Sequence, residues 1–277
     1  MNEKLTVGSC FSGIGGLELG LEWTGQFETK WQIEWDDYAS RVLAKHWPNV
    51  QRFSDITAVY SPPRVDVICG GFPCQDVSLA GARAGLEGNR STLWGEMFRL
   101  VCEIRPQWVV AENVPGLLSS DDGRFFGNIL RDLASAGYDA EWGVLSAAGV
   151  GAPHLRRRVF ILANARCEHG QTGAEITGGL RGLQADGETR HLTERPGAVA
   201  NPNFERLEGP GPEQQTTGID QCFRRDWWTV EPDVGRVAHG VPKRMERLKC
   251  LGNAVVPQVA QRIGEMILKF KRQSGAA

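Results

Sequence analysis

The sequence predicts an α/β protein built on a doubly wound, mostly parallel sheet, with a small loop-rich insert late in the chain. Two observations carry this. Short β-branched strands alternate with amphipathic helices through the first 165 residues, a spacing that suits parallel strands joined by helical crossovers. Near Asn164 that texture stops: residues 164–230 hold ten Gly, four Pro, seven Arg, no Lys and ten acidic residues.

In chain order, 5–11 is a short apolar strand and 14–23 an amphipathic helix. A second strand at 29–34 leads into a helix at 36–46, with Ala39, Val42, Leu43 and Trp47 at helical spacing. The compact strand VDVIC at 65–69 runs into a Gly-Gly-Phe-Pro loop. A helix at 92–104 stops before Pro106, and WVVA at 108–111 is the next strand. The helix at 125–136 ends at Gly137, and 141–146 with 158–163 read as an antiparallel pair. The 164–230 stretch cannot build much core of its own. Beyond it, Pro257 suits the first turn of a helix whose residues Val259, Ile263, Met266, Ile267 and Phe270 share one face. That helix needs a core, so it should return to the first domain. The expected organisation is a ligand-binding catalytic domain at 1–163, an insert at 164–235, and a returning segment at 236–277.

With 41% apolar and 23% charged residues, the 277-residue chain is neither disordered, collagenous nor a coiled coil. No apolar run approaches the roughly 18–20 residues of a membrane span. The N-terminus has no signal-peptide core, so a soluble cytoplasmic protein with no membrane partner is expected. Lys and Arg total 31 against 33 Asp and Glu, so any nucleic-acid surface must be local. Seven widely spaced cysteines (Cys10, Cys69, Cys74, Cys102, Cys167, Cys222, Cys250) include no C-x-x-C pair, which fits reduced thiols and no metal site.

Five places could carry chemistry, and each has an ordinary reading beside it. The turn Phe11-Ser12-Gly13-Ile14-Gly15-Gly16 joins a strand to a helix, where glycines admit a ligand close to the backbone. Glu18 replaces the third glycine of a dinucleotide fingerprint, and an acid there is a poor neighbour for a pyrophosphate. Glu34 and Trp35, at the end of the second strand, could take ribose hydroxyls and an adenine face. Together these suit an adenosyl ligand without phosphates; a tight turn and a surface Glu would read the same. Cys74, beside Pro73 in a Gly-rich loop, is either a nucleophile or a packed thiol. Glu112, beside Asn113 and Pro115, closes a strand as either a catalytic or a capping acid. His154-Leu155-Arg156-Arg157-Arg158 is read as opening a strand, with Arg156 and Arg158 on one face, and could be only a charged edge. Leu251-Gly252-Asn253-Ala254-Val255 could be no more than the cap of the last helix.

FSGIGG, EWD, SDI, GGFPCQDVS, AENV, R-x-R before VFIL, and LGNAVVP follow one another as in the cytosine-C5 DNA methyltransferases. Over about residues 5–163 and 236–270 the chain resembles that family, in its compact bacterial and phage form. The resemblance implies a Rossmann-like, S-adenosylmethionine-dependent fold and methyl transfer to C5 of a flipped-out cytosine. Its methyl-donor pocket would be Phe11, Gly13, Gly15, Gly16, Glu34, Trp35, Asp55, Ile56, Pro73, Leu93, Asn253 and Val255. Its catalytic set would be Cys74 as nucleophile with Glu112, Arg156 and Arg158. His154 stands where the family usually has Gln, and the insert takes the place of the variable target-recognition region.

Double-stranded DNA is then the expected partner, with a cognate restriction endonuclease beside a monomeric enzyme. A tRNA cytosine-C5 methyltransferase and a silent DNA-binding regulator are the alternatives. Within the insert, Arg224 and Arg225 are the candidates for reading bases, since the guanidinium fork suits guanine. Lys243 and Arg244, in a basic stretch at 236–249, suit phosphate contacts.

Overall fold

The computed structural model describes residues 3–73, 93–166 and 243–274, all within one compact unit. Cys74, Arg224, Arg225 and nearly all of the insert lie outside the described residues. The strands are β1 (Leu5–Cys10), β2 (Phe27–Ile33), β3 (Gln51–Phe53), β4 (Val67–Gly71), β5 (Trp108–Asn113), β6 (Tyr138–Leu145) and β7 (Arg158–Ala165). The helices are α1 (Gly16–Trp23), α2 (Asp37–His46), α3 (Leu93–Ile104), α4 (Arg124–Ser135), α5 (Arg244–Asn253) and α6 (Pro257–Ser274).

The seven strands form one sheet in the order β3-β2-β1-β4-β5-β7-β6. β7 alone runs against its neighbours, pairing antiparallel with both β5 and β6. The expected doubly wound sheet and its terminal hairpin are therefore both present. Strand order reverses between β1 and β4, which places a ligand crevice beyond their C-terminal ends.

Period-two alternation divides the core between the two faces of the sheet. Ile68, Val109, Ala111, Val159 and Ile161 join α3 and α4 on one side. Val67, Cys69, Trp108, Val110, Phe160 and Leu162 join α1 and α6 on the other. The last helix packs on this face of the sheet, with Val259, Ala260, Ile263 and Ile267 buried in that second cluster. A Cβ on Gly20 would lie 2.1 Å from the Pro257 carbonyl, so α1 accepts α6 only because that position is bare.

Two elements depart from expectation. β7 begins at Arg158, and Arg156 stands before it with φ 33°, so the two arginines are not alternate residues of one strand. The LGN segment, for which a cap of the last helix is the ordinary alternative, is the end of a separate helix, α5.

Candidate active site

Parallel strands bring the ends of β1, β2, β4 and β5 to a single edge. β7 runs the other way and delivers its first residue, Arg158, to the same edge.

At the end of β1 the glycine turn is held by Glu34. Its Oε2 accepts from the Gly13 N–H at 2.7 Å, and its Oε1 accepts from the Asp36 N–H at 2.7 Å. Gly13 has φ 57°, and the space where its Cβ would stand is open. Gly15 and Gly16 cap and begin α1. A Cβ on Gly16 would lie 2.3 Å from the Val255 carbonyl, which seats the C-terminal segment on the turn. Trp35 leaves 76% of its surface exposed beside Glu34, an open aromatic face at the rim. Asp55 caps a short 3₁₀ turn, accepting from the Thr57 N–H at 2.9 Å, and Ile56 is buried behind it. A bare turn, a carboxylate and a free indole suit an adenosyl group.

Phe11 closes the turn in the left-handed region, φ 54°, and packs partly buried on the core. Pro73 is exposed at the last described residue before Cys74, while Leu93 is half-buried at the start of α3 and Asn253 is exposed. The structure thus brings the turn, Glu34, Trp35 and Val255 together.

The second cluster centres on Glu112, 8% exposed at the end of β5. The Arg158 Nε lies 3.1 Å from Glu112 Oε1, a diagonal contact across the β5–β7 pair. Burial pushes the carboxyl up to about 7, against the opposing pull of Arg158 and then Arg156. At neutral pH the group is thus poised between acid and carboxylate, as proton transfer at a base requires. Arg156 instead reaches the C-terminal segment, where its Nη2 donates to the carbonyls of Gly252 and Ala254. It thereby ties the edge that holds Glu112 and Arg158 to the stretch that covers the glycine turn.

Sequence reasoning missed three participants. Asn113 donates from Nδ2 to the Phe72 carbonyl at 2.8 Å, in the loop that leads to Cys74. Gly71 is bare because a Cβ there would stand 2.9 Å from Glu112 Oε2. The AENV and GGFPC motifs that supply them were the available signal. Lys249 pairs with Asp36 at 2.8 Å and pins α5 beside Trp35; nothing local in the sequence signalled that pairing.

Glu18, the acid that stands in place of the fingerprint's third glycine, is fully buried, and desolvation raises its carboxyl above the usual range. Cys10 and Cys69 are buried core thiols, pushed upward by burial and unfit as thiolates. Cys102 is exposed and Cys250 half-buried, and both are also raised by desolvation. Lys243, in the left-handed region at φ 54°, and Arg244 are exposed at the head of α5. Among the described residues, no group of three His, Cys, Asp or Glu could hold a metal ion, and no helix is long and apolar enough to cross a membrane.

Residues 5–209 match the family described as C-5 cytosine-specific DNA methylase. The Type II methyltransferase M2.BsuMI of Bacillus subtilis (strain 168) is 31% identical over 306 aligned positions, covering 96% of this chain and 76% of that protein. The Type II methyltransferase M.Bsp6I of Bacillus sp. (strain RFL6) is 38% identical over 169 positions, 60% of this chain and 54% of its own. Against that second relative the match spans about half of the relative's length. The solved structure of S. pombe Dnmt2 methyltransferase superposes with a TM-score of 0.55 at 16% identity, over 96% of this chain and 99% of that one. At that identity the likeness speaks for the fold alone.

Proposed function

The chain belongs to the C-5 cytosine-specific DNA methylase family, and from that footing we propose that it methylates C5 of a flipped-out cytosine in duplex DNA. S-adenosylmethionine, the family's methyl donor, would supply an electrophilic sulfonium methyl at the glycine turn. The observation that carries the reading is Glu112, a buried carboxyl poised at about 7 and ion-paired to Arg158, at the strand edge that also holds the turn.

Gly13, Glu34, Trp35, Asp55 and Val255 would hold the donor. Cytosine C5 is a weak nucleophile until the ring's aromaticity is interrupted. In this reading the Cys74 thiolate bonds to C6, and the C5=C6 electrons move through C4 to N3. Glu112 supplies or shares a proton at N3 and holds the developing charge, a role that contributes on the order of 10²–10⁴-fold. The resulting enamine makes C5 nucleophilic towards the methyl group. Loss of the C5 proton then expels Cys74 as thiolate and restores the ring. A paired base cannot reach such a pocket, so extrusion costs a few kcal/mol of unstacking.

The insert, with Arg224 and Arg225, would choose the sequence, while Lys243 and Arg244 would hold phosphates. We read the enzyme as a cytoplasmic monomer working beside a restriction endonuclease, as the Type II names of its relatives suggest. Transfer of labelled methyl from S-adenosylmethionine to DNA or to tRNA tests the proposal. Label in DNA that is lost in Cys74→Ala supports it. Label in tRNA alone, or none, overturns it.

A further inference from the structure

Beneath the glycine turn lies a carboxyl that the transfer chemistry leaves unused. Glu18, in the first turn of α1, and Gln32, on β2, are both fully buried. The Gln32 Nε2 donates to Glu18 Oε1 at 3.4 Å. The remaining oxygens of this pair, Glu18 Oε2 and Gln32 Oε1, are both sealed from solvent with no hydrogen-bond partner among the described residues. Two acceptors cannot satisfy one another, and buried acceptors left unmet are costly. One proton resolves both, because a carboxylic acid carries a donor that a carboxylate lacks.

Among the described residues, hydrogen bonds from Ser9 of β1, Ser12 of the turn and Gln32 of β2 draw the carboxyl towards ionisation, and burial opposes and outweighs them; the buried thiols of Cys10 on β1 and Cys69 on β4 lie within the reach of the same carboxyl. Arg99 of α3 acts on Cys10, and among the described residues no cation acts on Glu18. A buried carboxyl without a cation favours its neutral form.

We infer that Glu18 is a neutral carboxylic acid that donates to Gln32 Oε1 while accepting from Gln32 Nε2, a reciprocal clasp that positions the methyl-donor turn. The clasp joins α1, just past Gly15 and Gly16, to β2, whose continuation carries the Glu34 that holds Gly13. Its bearing on the donor rests on the reading given under Proposed function; the proton on Glu18 does not. Glu18 is a positioning residue and touches no reacting atom.

Glu18→Gln supplies an amide that can make the same two hydrogen bonds but has no proton to lose. It should bind S-adenosylmethionine in calorimetry within about twofold of the unaltered chain, whereas Glu18→Ala should weaken binding about tenfold or more, since it strands Gln32. The pH dependence of unfolding supplies the second readout. A carboxyl raised in the folded state loses stability for the fold as pH climbs above its unfolded value. The melting temperature of Glu18→Gln should therefore gain on the unaltered chain between about pH 5 and about pH 8. If Glu18→Ala does not fold, the exchange variant Glu18→Gln with Gln32→Glu moves the proton to the other partner. It should also bind donor within about twofold of the unaltered chain, and it should restore the pH slope that Glu18→Gln lacks. Binding by Glu18→Gln as poor as that of Glu18→Ala, or melting parallel to the unaltered chain at every pH, would overturn the clasp. Failure of the unaltered chain to bind donor would sink the functional reading instead, and the melting comparison would still judge the clasp.

Discussion

Replacing Glu112 by Gln should abolish methyl transfer and yet make the protein more stable at neutral and alkaline pH. The carboxyl ionises near 7 in the fold, against an ordinary value of 4.5, because burial outweighs Arg158 and Arg156. Each pH unit between those values is about 1.4 kcal/mol. Between 4.5 and 7 the folded chain keeps a proton that the unfolded chain has lost, so stability falls as pH rises through that window and levels off above it. The penalty well above pH 7 is then about 3 kcal/mol. An amide carries none of it, and the arginines' attraction for the ionised form is already part of the balance. Urea unfolding of both proteins at several pH values is the assay. The two stabilities should converge near about pH 5, and the variant should lead by about 2–3 kcal/mol near about pH 8. Parallel curves across that range would mean that Glu112 is an ordinary ionised acid, and the proton-sharing role would fail with it.

Three other outcomes follow from the same geometry. Glu34→Gln should weaken donor binding in calorimetry nearly as much as Glu34→Ala, by about 1–3 kcal/mol, because an amide turns a donor towards either the Gly13 or the Asp36 N–H; affinity kept by Glu34→Gln would place the donor elsewhere. Gly71→Ala puts a methyl 2.9 Å from Glu112 Oε2, so methyl transfer should fall by tenfold or more at unchanged melting temperature, about the effect of a small misplacement of a catalytic group; full activity would refute the contact. Replacing Lys243 or Arg244 by Ala should weaken DNA binding uniformly and flatten its salt dependence, while Arg224→Ala or Arg225→Ala should blur the methylated motif. Genome-wide mapping of methylated cytosines separates the two, and an unchanged motif and rate in both insert variants would assign specificity elsewhere.

What could be read in the chain beforehand follows physical lines. The strands were legible because alternate residues face two different helical layers, as Val67 and Cys69 do against Ile68. β3 was not, since Gln51–Phe53 is three residues long and buries little. α5 was not, because it has no buried residue to create a periodic face, and its Met245, Leu248 and Leu251 stand exposed. Its attachments are instead Lys249 to Asp36 and the Arg156 guanidinium on its last turn, pairings that no local pattern encodes. The HLRRR run carries the alternation of a strand, but Arg156 has a positive φ and its guanidinium is held by the carbonyls of Gly252 and Ala254, so the strand begins only at Arg158. Motif residues were legible one by one. That Gly71 makes room for Glu112, and that Asn113 braces the loop to Cys74, depends on β4 and β5 being neighbours, a fact of topology.

The central claim, attack on the cytosine ring by Cys74 at the edge organised by Glu112, has a direct measurement. A duplex carrying fluorine at cytosine C5 has no proton there to lose, and fluorine cannot leave as a cation, so after methyl transfer the thiol cannot be expelled. Incubated with S-adenosylmethionine, the chain should form a denaturation-resistant protein–DNA adduct whose mass-spectrometric map places the cross-link on Cys74. Cys74→Ala should form none, and Cys69→Ala, if folded, should form it as before. An adduct that survives Cys74→Ala, or one that maps to another cysteine, would contradict the account.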